Sequence, residues 1–281
     1  YIFDAYFFAI GTFPETWTIE IQKPIENAVE AMTLDPGFIS FAKGLKYFIY
    51  LYLLKPLNAF LTQIPWWYTM VVFIIIGYVT VGLRFATITA ILLAFIGATG
   101  MWMHSMITLS SVLVSVLICF VIGVPLGVLA SYNKWYRDIQ NVVLDAMQTL
   151  PYFCYLIPVL MFFGGNIVSA VIATVIYSVP PIIRLTALGL SQVSGGYSEV
   201  SKSFGGTGIQ TLNKVKFPLA VPSLVMGFNQ TVIMAFAMQI VTPLIGGKGL
   251  GLQVFNALQR SDTCLLYTSP SPRDRQKSRM P

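Results

Sequence analysis

The polar side chains able to do chemistry are few, and most of them interrupt long apolar runs. Asp145, Gln148, Thr149, Asn166, Arg184, Asn229, Gln230 and Gln239 lie near or inside such runs, where a polar group is costly unless it faces a protein interior or a wet cavity. Such groups solvate a polar species more readily than they make or break its bonds. Asp145, Gln148, Asn229, Gln230 and Gln239 are therefore candidate lining for a pathway through apolar surroundings. For Asn229 and Gln239 a plainer role stands beside it with equal weight, hydrogen bonding between helices. Asp145 and Arg184 are expected to pair across neighbouring helix ends.

No catalytic set accompanies them. The chain has no Walker A sequence, no Gly-x-Ser-x-Gly and no His-Glu-x-x-His, which excludes the common nucleotide, esterase and zinc-protease chemistries. The single histidine, His104, lies close to Met103 and Met106 and reads as an interface residue. Cys119, Cys154 and Cys264 are far apart, with no CxxC or Cys/His spacing, and read as apolar filler. The expectation is a protein that is not an enzyme and needs no cofactor and no metal.

The elements that must hold these residues are set by composition. Of 281 residues, 56% are hydrophobic and 10% charged, with a mean hydropathy of +0.74. A water-exposed surface needs more charge, so an all-α polytopic membrane protein is expected. The net charge of +6 does not indicate nucleic acid, because Lys and Arg punctuate apolar runs instead of forming a stripe. Residues 1–37, with Pro14, Pro24, Pro36 and several Glu, read as a polar tail with room for a short helix over Ile25 to Met32. Residues 38–64 keep Lys43, Lys46 and Lys55 within a Phe-, Tyr- and Leu-rich stretch and read as an amphipathic helix on the membrane surface.

Residues 65–262 read as the transmembrane domain, with six spans near 66–83, 85–103, 107–130, 150–163, 167–190 and 219–245. Gly164-Gly165-Asn166 divides the fourth from the fifth. Pro125, Pro151, Pro158, Pro180, Pro181, Pro222 and Pro243 are expected to break helices beside a wet cavity. Arg84, Lys134, Arg137, Lys202, Lys214 and Lys216 fall on one side of the alternating spans, taken as cytoplasmic, which leaves the N-terminal tail outside. Residues 263–281 change character abruptly and read as a non-native tail.

Between the fifth and sixth spans, residues 196–218 are unusually ordered for a loop. Ser198 can cap a helix beginning at Glu199, and Val200 and Phe204 share its face. Gly205-Gly206 suits the left-handed stop; Ile209 to Lys216 forms a second amphipathic piece, with Leu212 and Val215 on one side, and Pro218 opens the next span. An apolar face on a cytoplasmic loop implies a partner.

This loop resembles the EAA motif of binding-protein-dependent ABC importer permeases. Glu199-Val200-Ser201, Gly205, Val215 and Phe217-Pro218 keep its spacing without a gap, although both alanines, the isoleucine and the leucine are replaced. Further segments resemble the ProW-type glycine betaine/proline betaine branch: Asp145 to Phe153, Tyr155 to Pro158, Pro180 to Thr186, Asn229 to Thr231 and Ile245 to Gly251. The resemblance implies a type I permease bundle whose final span is missing from this sequence. It also implies ATPase coupling through Glu199, Val200, Ser201, Phe204, Gly205 and Pro218, and alternating access. The partners implied are a cytoplasmic ABC ATPase, an extracytoplasmic substrate-binding protein and a second permease copy in a homodimer, within the lipid of a bacterial inner membrane. Two other functions stand beside this one: a permease for another small solute such as an amino acid, and an ion-coupled secondary transporter. The second is disfavoured by the absence of internal repeats and by Asp145 being the one intramembrane carboxylate.

Overall fold

The computed structural model describes residues 35–260. The expectations for the tail before residue 35, for 263–281 and for Cys264 lie outside them. The chain divides into two units, 1–44 and 45–281, and the packing that follows is that of the second. The described residues are helical: α1 (Pro36–Phe48), a π-helical stretch (Ile49–Leu54), α2 (Lys55–Gln63), α3 (Trp66–Thr80), α4 (Leu83–Ala98), α5 (Trp102–Tyr132), α6 (Lys134–Thr149), α7 (Phe153–Phe163), α8 (Ile167–Gln192), α9 (Gly195–Ser203) and α10 (Gly208–Thr211). A second π stretch (Leu212–Lys216) leads into α11 (Phe217–Met238), followed by a 3₁₀ turn (Thr242–Ile245) and α12 (Leu250–Arg260).

The core is α8 held between α5 and α11. The face of α5 turned inward carries Ser111, Ser115, Cys119, Gly123 and Gly127, each four residues from the last and all buried. Lipid gives apolar side chains no reason to hide, so helices in a membrane associate by close backbone approach across small residues. Gly127 shows how close. A Cβ there would lie 2.6 Å from the Thr186 Cβ and 2.7 Å from the Ile183 carbonyl oxygen, and one at Gly123 would lie 2.4 Å from the Ile182 Cγ2. Ser111 and Ser115 donate to the carbonyls of Ile107 and Ser111 at 3.1 and 2.8 Å, so their hydroxyls are satisfied inside their own helix. Cys119, Leu144, Ile182, Leu190, Ala220 and Leu224 complete one buried cluster from four helices.

The helix boundaries follow local chemistry. Asn166 caps α8, its side chain accepting from the Val168 and Ser169 amides, and Gly164 takes φ +71° in the turn before it. That is the division read from Gly164-Gly165-Asn166. Of the seven prolines expected to break helices, Pro125, Pro158, Pro180, Pro181 and Pro222 lie inside continuous helices. Pro180 and Pro181 are buried among neighbouring helices, whereas Pro125, Pro158 and Pro222 are exposed, and in both settings the helix continues past the lost hydrogen bond. Pro151 does mark a break: α6 and α7 meet at 99°. The two π stretches end within two residues of Pro56 and Pro218, where a missing N–H favours a widened turn over a broken one.

Six helices occupy the positions expected for six spans, but their lengths differ from that expectation. Among the described residues three are long and apolar enough to cross a membrane, Trp102–Tyr132, Ile167–Gln192 and Gly208–Met238, or up to five if each of two bent pairs is one crossing. With 15 and 16 residues, α3 and α4 reach only about 22–24 Å at 1.5 Å per residue, against about 30 Å of hydrocarbon. The segment expected on the membrane surface is helical, and Ile49 and Leu54 are buried against Val114, Val168 and Val171. The sixth expected span stops at Met238, before the 3₁₀ turn.

Candidate functional site

The loop singled out by its spacing is a helical hairpin. Its first arm, α9, begins at Gly195, three residues before the expected cap; Ser194 holds the cap position without a side-chain bond, and Ser198 and Glu199 are internal. The turn is closed by backbone hydrogen bonds from Phe204 to Val200 (3.2 Å), Gly205 to Lys202 (2.9 Å) and Gly206 to Ser201 (2.9 Å). Gly205 takes φ +76°, the left-handed conformation that side chains with a Cβ rarely adopt. The second arm starts with a capping box: the Thr207 side chain accepts from the Gln210 amide, and the Gln210 side chain accepts from the Thr207 amide.

One hydrogen bond ties the arms together, Ser201 Oγ to Thr211 Oγ1 at 2.8 Å. Ser201 is thus a brace inside the hairpin. At its base, the Lys216 ammonium stands 5.2 Å from the centre of the Tyr132 ring, fixing the hairpin to the end of α5. The tip is apolar and open: Phe204 is 88% exposed, with Ile209, Val200 and Tyr197 also exposed. Tyr197, Val200 and Phe204 border a shallow depression that Ser201, Gly206, Gln210, Lys214 and Val215 also line. Glu199 is exposed beside it, and Pro218 lies outside the tip, at the start of α11. Such a surface has the make-up of a protein contact, with a protruding aromatic at its centre.

The polar residues divide differently from the expected pathway. Asp145 and Arg184 do pair, Arg184 Nη2 donating to Asp145 Oδ1 at 2.8 Å across α6 and α8. Gln148 is exposed on the next turn of α6, and Asn229 and Gln230 are exposed on α11, off the buried face of Leu224, Gly227 and Thr231. No hydrogen bond among the described residues joins Asn229 or Gln230 to Asp145 or Gln148. Gln239 is 5% exposed, and its amide donates to Thr174 Oγ1 at 3.2 Å. It is a joint between α8 and the end of α11, which removes it from a solvent-lined path.

Sequence reasoning missed two features, of which only the second carries a signal in the spacing. His104 and Thr108 on α5 receive the segment after the 3₁₀ turn: the Leu250 amide donates to Thr108 Oγ1 at 2.8 Å, and Gln253 Nε2 lies 3.1 Å from His104 Nε2. The Gly-x-x-x-Gly at 123–127 was a signal of the close α5–α8 contact that could have been read. Reversing one charge of the Asp145–Arg184 pair, as Asp145→Arg or Arg184→Asp, is expected to reduce stability by up to about 1 kcal/mol, since both groups are partly exposed. The double reversal should recover most of it. A double-mutant cycle on thermal unfolding measures this, and zero coupling would show that the pair contributes nothing.

Comparison with known proteins bears directly on these elements. Residues 123–269 match the family described as binding-protein-dependent transport system inner membrane component. The chain belongs to this family. It is 40% identical over 211 residues to the glycine betaine/proline betaine transport system permease protein ProW of Escherichia coli (strain K12), covering 75% of this chain and 60% of that protein. It is also 40% identical over 184 residues to the glycine betaine transport system permease protein OpuAB of Bacillus subtilis (strain 168), covering 66% and 64%. The chain thus spans less than two thirds of the length of these relatives. The fold is shared with a structure of the MetNI methionine ABC transporter in an inward-facing conformation, with TM-score 0.52 and 24% identity over 57% of this chain and 81% of that one. As a family member, the chain is an all-α, multi-pass inner-membrane component with the type I permease bundle.

Proposed function

We propose that this chain is the membrane-embedded permease subunit of an ATP-driven importer, in which the hairpin of α9 and α10 is the seat of a separate ATPase. The observation that carries this reading is the hairpin itself: a braced element whose tip exposes Phe204, Val200, Tyr197 and Ile209 to solvent. The chain has no nucleotide-binding sequence of its own, so uphill transport requires another polypeptide to hydrolyse ATP. Glu199, Val200, Phe204 and Gly205 form the docking surface, Ser201 braces it, and Pro218 opens the helix that carries it.

The solute is glycine betaine, proline betaine or a similar quaternary ammonium osmoprotectant. The names of the relatives ProW and OpuAB support this class. An extracytoplasmic binding protein delivers it, a second permease copy completes the pathway, and Asp145, Gln148, Asn229 and Gln230 contribute polar lining. The N-terminal tail is extracytoplasmic, and residues 38–64 lie along the bilayer surface, with Ile49 and Leu54 packed on the bundle. Alternating access follows if nucleotide binds one arrangement of the ATPases better than the other, because only differential affinity shifts such an equilibrium.

In vesicles holding the full-length permease, its ATPase and its binding protein, uptake of radiolabelled glycine betaine is expected to require ATP and to persist with proton and sodium ionophores. Collapse of uptake with the ionophores would instead identify an ion-coupled transporter.

A further inference from the structure

Three tyrosines meet where α6 turns into α7 beside α8. The Tyr152 ring stands edge-on to Tyr177, with centroids 6.4 Å apart and planes at 82°, and Tyr155 leans on the same ring at 6.3 Å and 55°. Phe153 abuts Tyr152 at 4.5 Å. Rings at such steep mutual angles bound a corner; they do not form a stack. The corner is held in place, because the Tyr155 hydroxyl donates to the Met147 carbonyl across the Pro151 elbow. It is also open, since Tyr152 and Phe153 are both exposed and Tyr155 and Tyr177 only partly buried.

A second feature points the same way. Pro180 and Pro181 sit inside α8, and neither can donate a hydrogen bond to the carbonyl four residues earlier, which here belong to Ile176 and Tyr177. The turn of α8 that carries Tyr177 therefore holds two carbonyl oxygens without their usual α-helical donor. Ring faces attract a cation through their quadrupole, and carbonyl oxygens accept weak hydrogen bonds from polarised C–H groups. A quaternary ammonium presents polarised methyl groups and no N–H, so both features suit it. Two turns further along α8, about 10 Å at 1.5 Å per residue, lies Arg184, whose Nη2 is held by Asp145 and whose Nε is buried without a hydrogen-bond partner.

We infer that Tyr152, Tyr155 and Tyr177 form a station for the quaternary ammonium end of the transported solute, with Arg184 the next station for its carboxylate. The inference rests on the transport function proposed above and adds a site within the permease itself. The separation exceeds the length of a small betaine, so the two stations are occupied in succession.

Cys154, exposed between Phe153 and Tyr155, supplies a native reporter. In the full-length permease assembled with its ATPase, alkylation of Cys154 by a small charged thiol reagent is followed by mass spectrometry of its peptide. Saturating glycine betaine is expected to slow it about fivefold, and glycine, which lacks the methyl groups, to leave it unchanged. Tyr177→Phe should keep the protection. Tyr177→Leu should abolish it, as should Tyr152→Leu, whose exposed ring can be removed without disturbing the core. Equal protection in the Leu variants, or none in a wild-type complex that imports glycine betaine, overturns the station while the transport function stands. A wild-type complex that imports no quaternary ammonium in the same vesicles overturns both.

Discussion

Phe204→Ala is expected to weaken ATPase binding to the solubilised permease by about 30-fold, the effect of removing about 2 kcal/mol at a central aromatic contact. The side chain is 88% exposed, so its loss costs the isolated permease almost nothing, and insertion and thermal stability should be unchanged. Gly205→Val should reach a similar loss by another route. The space around Gly205 is open, but its φ of +76° places a β-branched residue in a region that costs about 1–3 kcal/mol, and the turn that presents Phe204 rearranges. Glu199→Lys reverses the exposed charge beside the same surface and should act in the same direction. Co-purification and titration of the ATPase against each variant measure these effects; undiminished binding in all three would refute the docking role.

Gly127→Val is expected to act in the membrane instead. Its added methyl groups extend beyond a Cβ that already lies 2.6–2.7 Å from Thr186 Cβ and the Ile183 carbonyl. A backbone atom cannot swing aside, so α5 and α8 must part. Overpacking of this kind costs about 3 kcal/mol, or about 6–12 °C in the unfolding midpoint for a chain of this size. Gly44, with nothing within 4 Å of its Cβ position, provides a control at which alanine should be tolerated. An unchanged midpoint for Gly127→Val would mean that the close α5–α8 approach does not hold the bundle together.

Much of this was legible from residue order alone, and what was not shares a physical cause. The start of α8 follows from Asn166, a cap whose partners are two and three residues away. The hairpin is legible because the glycine stop at Gly205 is local, and the Asp145–Arg184 pair because charges in an apolar run have few places to go. The α9 start at Gly195 was missed because two glycines advertise no helix and Ser194 caps without a side-chain bond. Ser201 read as part of a docking surface, since its partner Thr211 is across the turn. Gln239 could have lined a path or joined helices, and only the position of Thr174, 65 residues earlier, decides between them. Five of the seven prolines expected to break helices lie inside continuous ones, because one missing hydrogen bond is outweighed by the bonding and packing of the rest of the helix, while Pro151 does mark a break. The tyrosine corner has no signature, because Tyr177 is 25 residues from Tyr152 and neither spacing nor periodicity relates them.

The hairpin's second arm and the last long helix are one continuous rod, Gly208–Met238. Its 31 residues run about 46 Å, so a tilt of about 5° at the hairpin end carries the opposite end about 4 Å. In the proposed transport cycle, a push on the hairpin and a displacement at the far end of α11 are then mechanically the same motion, passing through the widened π turn at 212–216 and the Pro222 position. Under that proposal, the stiffness of these two points sets the gearing between a docked ATPase and the membrane part.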